Sequence, residues 1–166
     1  MTTNVKPVPD GYHTITPHLV LDDCAKAIEL YKRAFGAEEI LRMPGPGSKI
    51  VHPEIRIGDS TVMMSDEMPP MSGQPGIYKS PKSAGLSTAA LFLYVPDADS
   101  AFDRAVQAGC TVRSPVTDMF WGDRYGQVLD PFGHTWAIAT HQEDVAPQDM
   151  AKRQQEFFAR MQQSGG

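Results

Sequence analysis

Four side chains of the types that hold divalent ions or move protons lie on strand-like runs: His18, His52, Glu54 and His141. Imidazole nitrogens and carboxylate oxygens are apt ligands for such an ion. Their spacing is not that of a compact ligand motif, and no HxxxH-type pair occurs. Because they come from different strands, hydrogen-bonded pocket or rim side chains are the preferred reading. A displaced site for a divalent metal ion is the alternative. A general base at His18 or His52 needs burial and a carboxylate partner, and Glu54 is the natural partner.

A second cluster surrounds Trp121. In one reading Trp121 and Tyr125 stack on a planar ligand while Arg124 clamps its anionic group. In the plainer one Asp123 and Arg124 pair or cap the turn, and Trp121 fills a corner of a sheet. Met63 and Met64 form an adaptable wall or, more commonly for Met in a strand, core. Cys24 starts a helix, where a dipole lowers a thiol pKa, but its place in the apolar stripe makes it core. The PGPGSK run at 44–49 lacks the G-x-x-x-x-G-K-[ST] spacing of a phosphate loop. His134 is expected to bond nearby backbone.

The elements that must position these groups recur twice. Thr14 to Leu21 alternates as a first strand, with Ile15, Pro17, Leu19 and Leu21 on one face. Asp22-Asp23 caps a helix from Cys24 to Phe35 that Gly36 stops. Strands follow at Glu38 to Met43, Ile50 to Ile57 and Ser60 to Asp66. Residues 67–86 are rich in Pro, Gly, Ser and Lys, the chemistry of a linker. The pattern then restarts with a strand at Ser87 to Val95, a cap at Asp97 or Asp99 and a helix from Ala101 to Ala108 stopped by Gly109. Strand-like runs at Thr111 to Ser114, Asp118 to Trp121, Tyr125 to Leu129 and Thr135 to Thr140 complete it.

Gly122 and Gly126 bracket a charged turn. Asp130-Pro131-Phe132-Gly133 is a further turn, in which the Asp130 carboxylate can accept backbone N–H bonds. Ile28 and Phe102, Thr16 and Ala90, and Met63 and Ala137 all share one 74-residue offset. This is an internal repeat of a unit that cannot bury its own face alone. Pairing two such units predicts one concave sheet with the helices outside. A terminal helix from Pro147 to Gln163 presents Met150, Phe157, Phe158 and Met161 for docking on the body or on a second subunit.

A chain of 166 residues can bury a core without a metal or disulfide. The net charge of −5, with no basic stripe, argues against nucleic acid. No apolar run approaches the ~18 residues of a membrane span. The N-terminus lacks a signal-peptide core, and two cysteines make no disulfide framework. A cytoplasmic, reduced protein is expected.

The two βαβββ patterns, with LVLDDCAKAIELYKRAFGAEE, IGDSTVMMSDE, LYVPDADSAFDRAVQAG and DPFGHTWAIATH, resemble the vicinal oxygen chelate superfamily. Within it they resemble the glyoxalase/bleomycin resistance protein/dioxygenase group and its PhnB-like branch, over about residues 14–141. The resemblance implies an α+β fold: two tandem modules forming a cupped, mixed, eight-stranded sheet, often completed by dimerisation. The divisions are an arm at 1–13, modules at 14–67 and 87–141, a linker at 68–86 and the C-terminal helix at 142–166. Metal-using relatives place His and Glu on the first and last strands of each module. Those positions fall here on Thr16, Met63, Ala90 and Ala137, none a usual ligand. The expectation is therefore a homodimeric, metal-free protein that binds a small, aromatic or anionic molecule. Its pocket takes His18, His52, Glu54, Met63, Phe92, Tyr94, Trp121, Arg124 and Tyr125. A metal-dependent lyase, isomerase or dioxygenase using His18, His52, Glu54 and His141 is the alternative, and a non-catalytic dimeric interaction module the third reading.

Overall fold

The computed structural model describes residues 5–68 and 78–164. The chain divides into two compact units, Met1–Thr88 and Ala89–Gly166, and each is described by itself. The first contains β1 (His18–Leu21), α1 (Cys24–Phe35), β2 (Glu38–Pro44), β3 (Ile50–Ile57), β4 (Ser60–Asp66) and the short α2 (Pro81–Ala84). The second contains β5 (Ala90–Tyr94), α3 (Ala98–Ala108), β6 (Thr111–Asp118), β7 (Asp123–Leu129), β8 (Thr135–His141) and α4 (Pro147–Ser164). Each unit builds one four-stranded mixed sheet, ordered β1-β4-β3-β2 and β5-β8-β7-β6. β1–β4 and β5–β8 pair in parallel and the other neighbours antiparallel.

Each sheet buries one face against its helix. α1 starts where the Asp23 carboxylate accepts the Lys26 N–H at 3.0 Å, and α3 where Asp97 accepts from Ser100 at 3.0 Å. Leu19, Leu21, Ile55, Val62 and Met64 are buried with Ile28 and Tyr31 of α1. Ile138, Val128 and Trp136 are buried in the second unit, with Phe102 and Ala105 of α3. Cys24 and Cys110 are both buried and unpaired. Burial, then the nearby Asp66, pushes the Cys24 thiol far up, and burial pushes Cys110 up to about 12. Both thiols are therefore inert core groups, as the apolar stripe predicts for Cys24.

The repeat is visible in the register. His18 pairs with Met63 and Phe92 with Ala137, both at the 74-residue offset. α1 has 12 residues and α3 has 11, and on the third strand of each unit the offset is 73, returning to 74 on the fourth. Glu54 lies opposite Met63, and Gln127 lies opposite Ala137. The second unit thus carries an amide where the first carries a carboxylate.

Several boundaries differ from the sequence reading. β1 begins at His18 rather than Thr14, with the Met63 N–H donating to Pro17 O at 2.9 Å as its entry. Ile15 is 85% exposed and is not core. β6 is one strand where two were expected; its register shifts around Pro115, which has no N–H to give and sits on an edge strand. Trp121 therefore lies in the turn before β7 and not in a strand. α3 starts at Ala98, three residues earlier than expected, and α2 forms inside the span read as linker. The remainder of that linker, residues 69–77, lies outside the described residues. Among the described residues no helix is long and apolar enough to cross a membrane.

Candidate functional site

Strand alternation turns every second residue of each sheet away from its helix, and these open faces hold the candidate chemistry. In the first unit the open face carries His18, Glu54, His52, Met63 and Ser65. Glu54 is 4% exposed and holds two partners at once. His52 Nε2 lies 2.8 Å from its Oε1, and the Tyr12 hydroxyl donates to its Oε2. His18 Nε2 is 3.2 Å from Ser65 Oγ. Burial, then the charge of His52, lowers the His18 pKa, which keeps its ring neutral at physiological pH. The bond to Glu54 raises the Tyr12 pKa, so the phenol keeps its proton.

Tyr12 was not singled out in the sequence, because it stands in a Pro-rich arm without periodicity. That arm is tied across the open face: Thr61 Oγ1 donates to Gly11 O at 2.7 Å, beside the Tyr12–Glu54 bond.

The open face of the second unit is aromatic. The Phe92 and Tyr94 ring centroids are 4.9 Å apart, and Phe92 and Tyr125 stack at 5.6 Å with 28° between planes. Trp121 meets Tyr125 edge-on at 5.6 Å. Phe92 and Tyr94 remain 50% and 60% exposed, so their faces are available to a guest. At one end sits Asp123, 2% exposed. Its Oδ2 accepts from Tyr94 OH at 3.0 Å and Trp121 Nε1 at 2.9 Å, and its Oδ1 meets His141 Nδ1 at 2.8 Å. Burial pushes the Asp123 carboxyl up, but the bonds from His141, Tyr94 and Trp121 outweigh it and leave the pKa lowered.

His141 Nε2 reaches Asp144 at 3.0 Å. Both ring nitrogens therefore face acceptors, a pattern satisfied by the imidazolium. The bonds to Asp123 and Asp144 accordingly raise its pKa.

The structure brings together Phe92, Tyr94, Trp121 and Tyr125 in the second unit, and His18, His52, Glu54 and Met63 share the open face of the first. It does not bring Arg124 to either. Arg124 projects to the helix side of β7, where it bonds Asp99 at 2.8 Å and Asp118 at 3.2 Å. The anion clamp and the Asp123–Arg124 pair are both corrected by this. β7 already runs extended at Asp123, so consecutive side chains point to opposite faces. Asp123, read as a turn residue, is instead the hub. Its signal in the sequence is its parity with Tyr125; the pairing with His141 of β8 comes only from the register.

Metal-using members of the superfamily hold a divalent ion, and the donors here can be tested against one. Thr16, Met63, Ala90 and Ala137 offer a hydroxyl, a thioether and two methyl groups. In the alternative set His52 and Glu54 bond each other, His18 bonds Ser65, and His141 is clasped by two carboxylates. Among the described residues no three His, Cys, Asp or Glu side chains are grouped to hold an ion. The residues present do not fit a divalent metal.

Comparison with known proteins agrees with this architecture. The model of the Glyoxalase/Bleomycin resistance protein/Dioxygenase superfamily matches residues 12–138. The uncharacterized protein Rv0887c of Mycobacterium tuberculosis is 45% identical over 83% of this chain and 76% of its own. The crystal structure of TioX from Micromonospora sp. ML1 superposes with a TM-score of 0.59 at 29% identity, covering 78% of this chain and 98% of TioX. A glyoxalase/bleomycin resistance protein/dioxygenase from Nocardioides has a TM-score of 0.60 at 22% identity, covering 88% and 91%, and shows the shared fold.

Proposed function

Since the chain belongs to the glyoxalase/bleomycin resistance protein/dioxygenase superfamily, we propose that it is one of the superfamily's metal-independent binders of small molecules. The observation that carries this is the Phe92–Tyr94–Tyr125–Trp121 surface, a run of rings left open on a rigid sheet. Such surfaces give large contact area at little cost in side-chain entropy, and a few polar groups then fix orientation. The open face of the first unit, taken by itself, carries the Tyr12–Glu54–His52 network, His18 and Met63. The side chains at the inherited metal positions support binding without an ion.

We propose further that it belongs to the PhnB-like branch and acts as a cytoplasmic homodimer. Its two buried, unpaired cysteines suit a reducing compartment.

Native mass spectrometry with elemental analysis tests the proposal, on protein purified without metal affinity resin. The expected result is a dimer that binds 2-naphthylmethanol, an uncharged flat aromatic probe, with substoichiometric metal. One tightly held divalent ion per chain would restore the metalloenzyme reading.

A further inference from the structure

The aromatic face also has an electrostatic sign. Residues 89–166 hold ten Asp and Glu against six Lys and Arg, and so carry four of the chain's five net negative charges. Arg124, the guanidinium that an anionic guest would need, is turned to the helix side and already spans Asp99 and Asp118. On the aromatic side the buried charge is Asp123. Tyr94 and Trp121 both donate into its Oδ2. A ring that donates to a carboxylate is polarised toward its π system, so its face becomes a better seat for a positive charge. His141 does not cancel this. It stands between Asp123 and Asp144, and the three groups together remain negative even with the imidazole protonated.

We infer that the Phe92–Tyr94–Tyr125–Trp121 surface selects small aromatic cations, and that Asp123 is the positioning residue that sets this preference through the two rings it anchors. The inference rests on the binding role proposed above and adds the chemical class of the guest. Two features of the site favour a cation. Phe92 and Tyr94 leave half or more of their surface open, so a guest's ring can stack there while its ammonium group reaches the Tyr94 and Trp121 side. Among the described residues, the ionised groups that bond to those two rings, to Asp123 or to His141 are Asp123, His141 and Asp144, and their sum is negative.

Three probes with one ring system separate charge from shape: 2-naphthylmethylamine as the cation, 2-naphthylmethanol as the neutral form and 2-naphthoate as the anion. Calorimetric titration of the full chain at neutral pH should give at least tenfold tighter binding of the cation than of the anion. That ratio corresponds to about 1.4 kcal/mol. Asp123→Asn should collapse the cation-to-anion ratio toward unity, both probes being measured on the same variant. His141→Gln, which removes the neighbouring positive charge and leaves the hub carboxylate, should widen the ratio; this second variant keeps the test open if Asp123→Asn does not fold. Neutral binding without charge preference, or a ratio that neither variant moves, overturns the inference and leaves the binding role standing. Failure of all three probes to bind overturns both.

Discussion

Two buried aspartates, Asp130 and Asp123, gather the donors of the second unit at the level of single side chains. Asp130 accepts the Phe132 and His134 N–H groups at 2.9 Å each, and Trp136 Nε1 at 2.9 Å. The Asp-Pro-x-Gly spacing is local, so its backbone-accepting role was legible. Asp130→Ala strands three buried donors and should cost about 3 kcal/mol, read from denaturant unfolding. In the sequence Asp123 stands between two glycines beside Arg124, the local pattern of a turn. Its partners Tyr94 and His141 are 29 and 18 residues away, and only the register brings them together.

The Asp123–His141 pair also has a pH signature. His141 is raised in the fold, so its stabilising effect is complete below the ordinary histidine range and fades as pH rises through the raised value. Asp123 is lowered, so its effect is lost only as pH falls through that lowered value. The melting-temperature gap between the protein and His141→Gln should be widest in mildly acidic buffer and close at alkaline pH. A gap that widens with alkalinity would mean that the imidazole is not held as a cation.

At the scale of elements, two glycines show why strand limits were harder to read than helix limits. Both long βαβ helices carry aspartate caps and glycine stops that act within a turn of chain, so their ends are written locally. Gly126 has the sequence signal of a turn former but lies inside β7, where a Cβ would stand 3.0 Å from the Phe102 ring. Its absence of a side chain lets α3 pack down on the sheet. Gly126→Val should cost about 1–3 kcal/mol by overpacking, and Phe102→Ala about 3–5 kcal/mol by leaving a cavity.

Gly122 has φ +97, and a Cβ there would stand 2.0 Å from Glu143 O. Its own carbonyl accepts from Gln142 and Glu143, tying the turn before β7 to the chain leaving β8. Gly122→Ala should therefore cost at least about 2 kcal/mol and loosen the His141 end of the face. α4 adds to the same corner: Phe120 meets Phe157 at 5.8 Å and Phe158 at 6.3 Å, and Arg153 bonds Glu143. The apolar side read from its periodicity thus has a partner within its own unit.

For the molecule as a whole, duplication explains both what was legible and what was not. The 74-residue offset located equivalent positions without coordinates, and the paired registers of the two sheets reproduce it. It also carried the metal positions of the metal-using relatives, as an expectation, onto Thr16, Met63, Ala90 and Ala137. It did not reveal how the two open faces diverged, because that depends on which residues at alternate parity meet across strands. One face acquired a carboxylate held by Tyr12 and His52; the other became a run of rings anchored on Asp123. The most direct measurement is a calorimetric titration of 2-naphthylmethanol into the protein and into Tyr125→Ala, each with and without excess EDTA. Binding should be indifferent to the chelator and at least tenfold weaker in the variant. Binding that disappears with EDTA and returns with a divalent ion, or that ignores the loss of the Tyr125 ring, would contradict a metal-independent aromatic binding face.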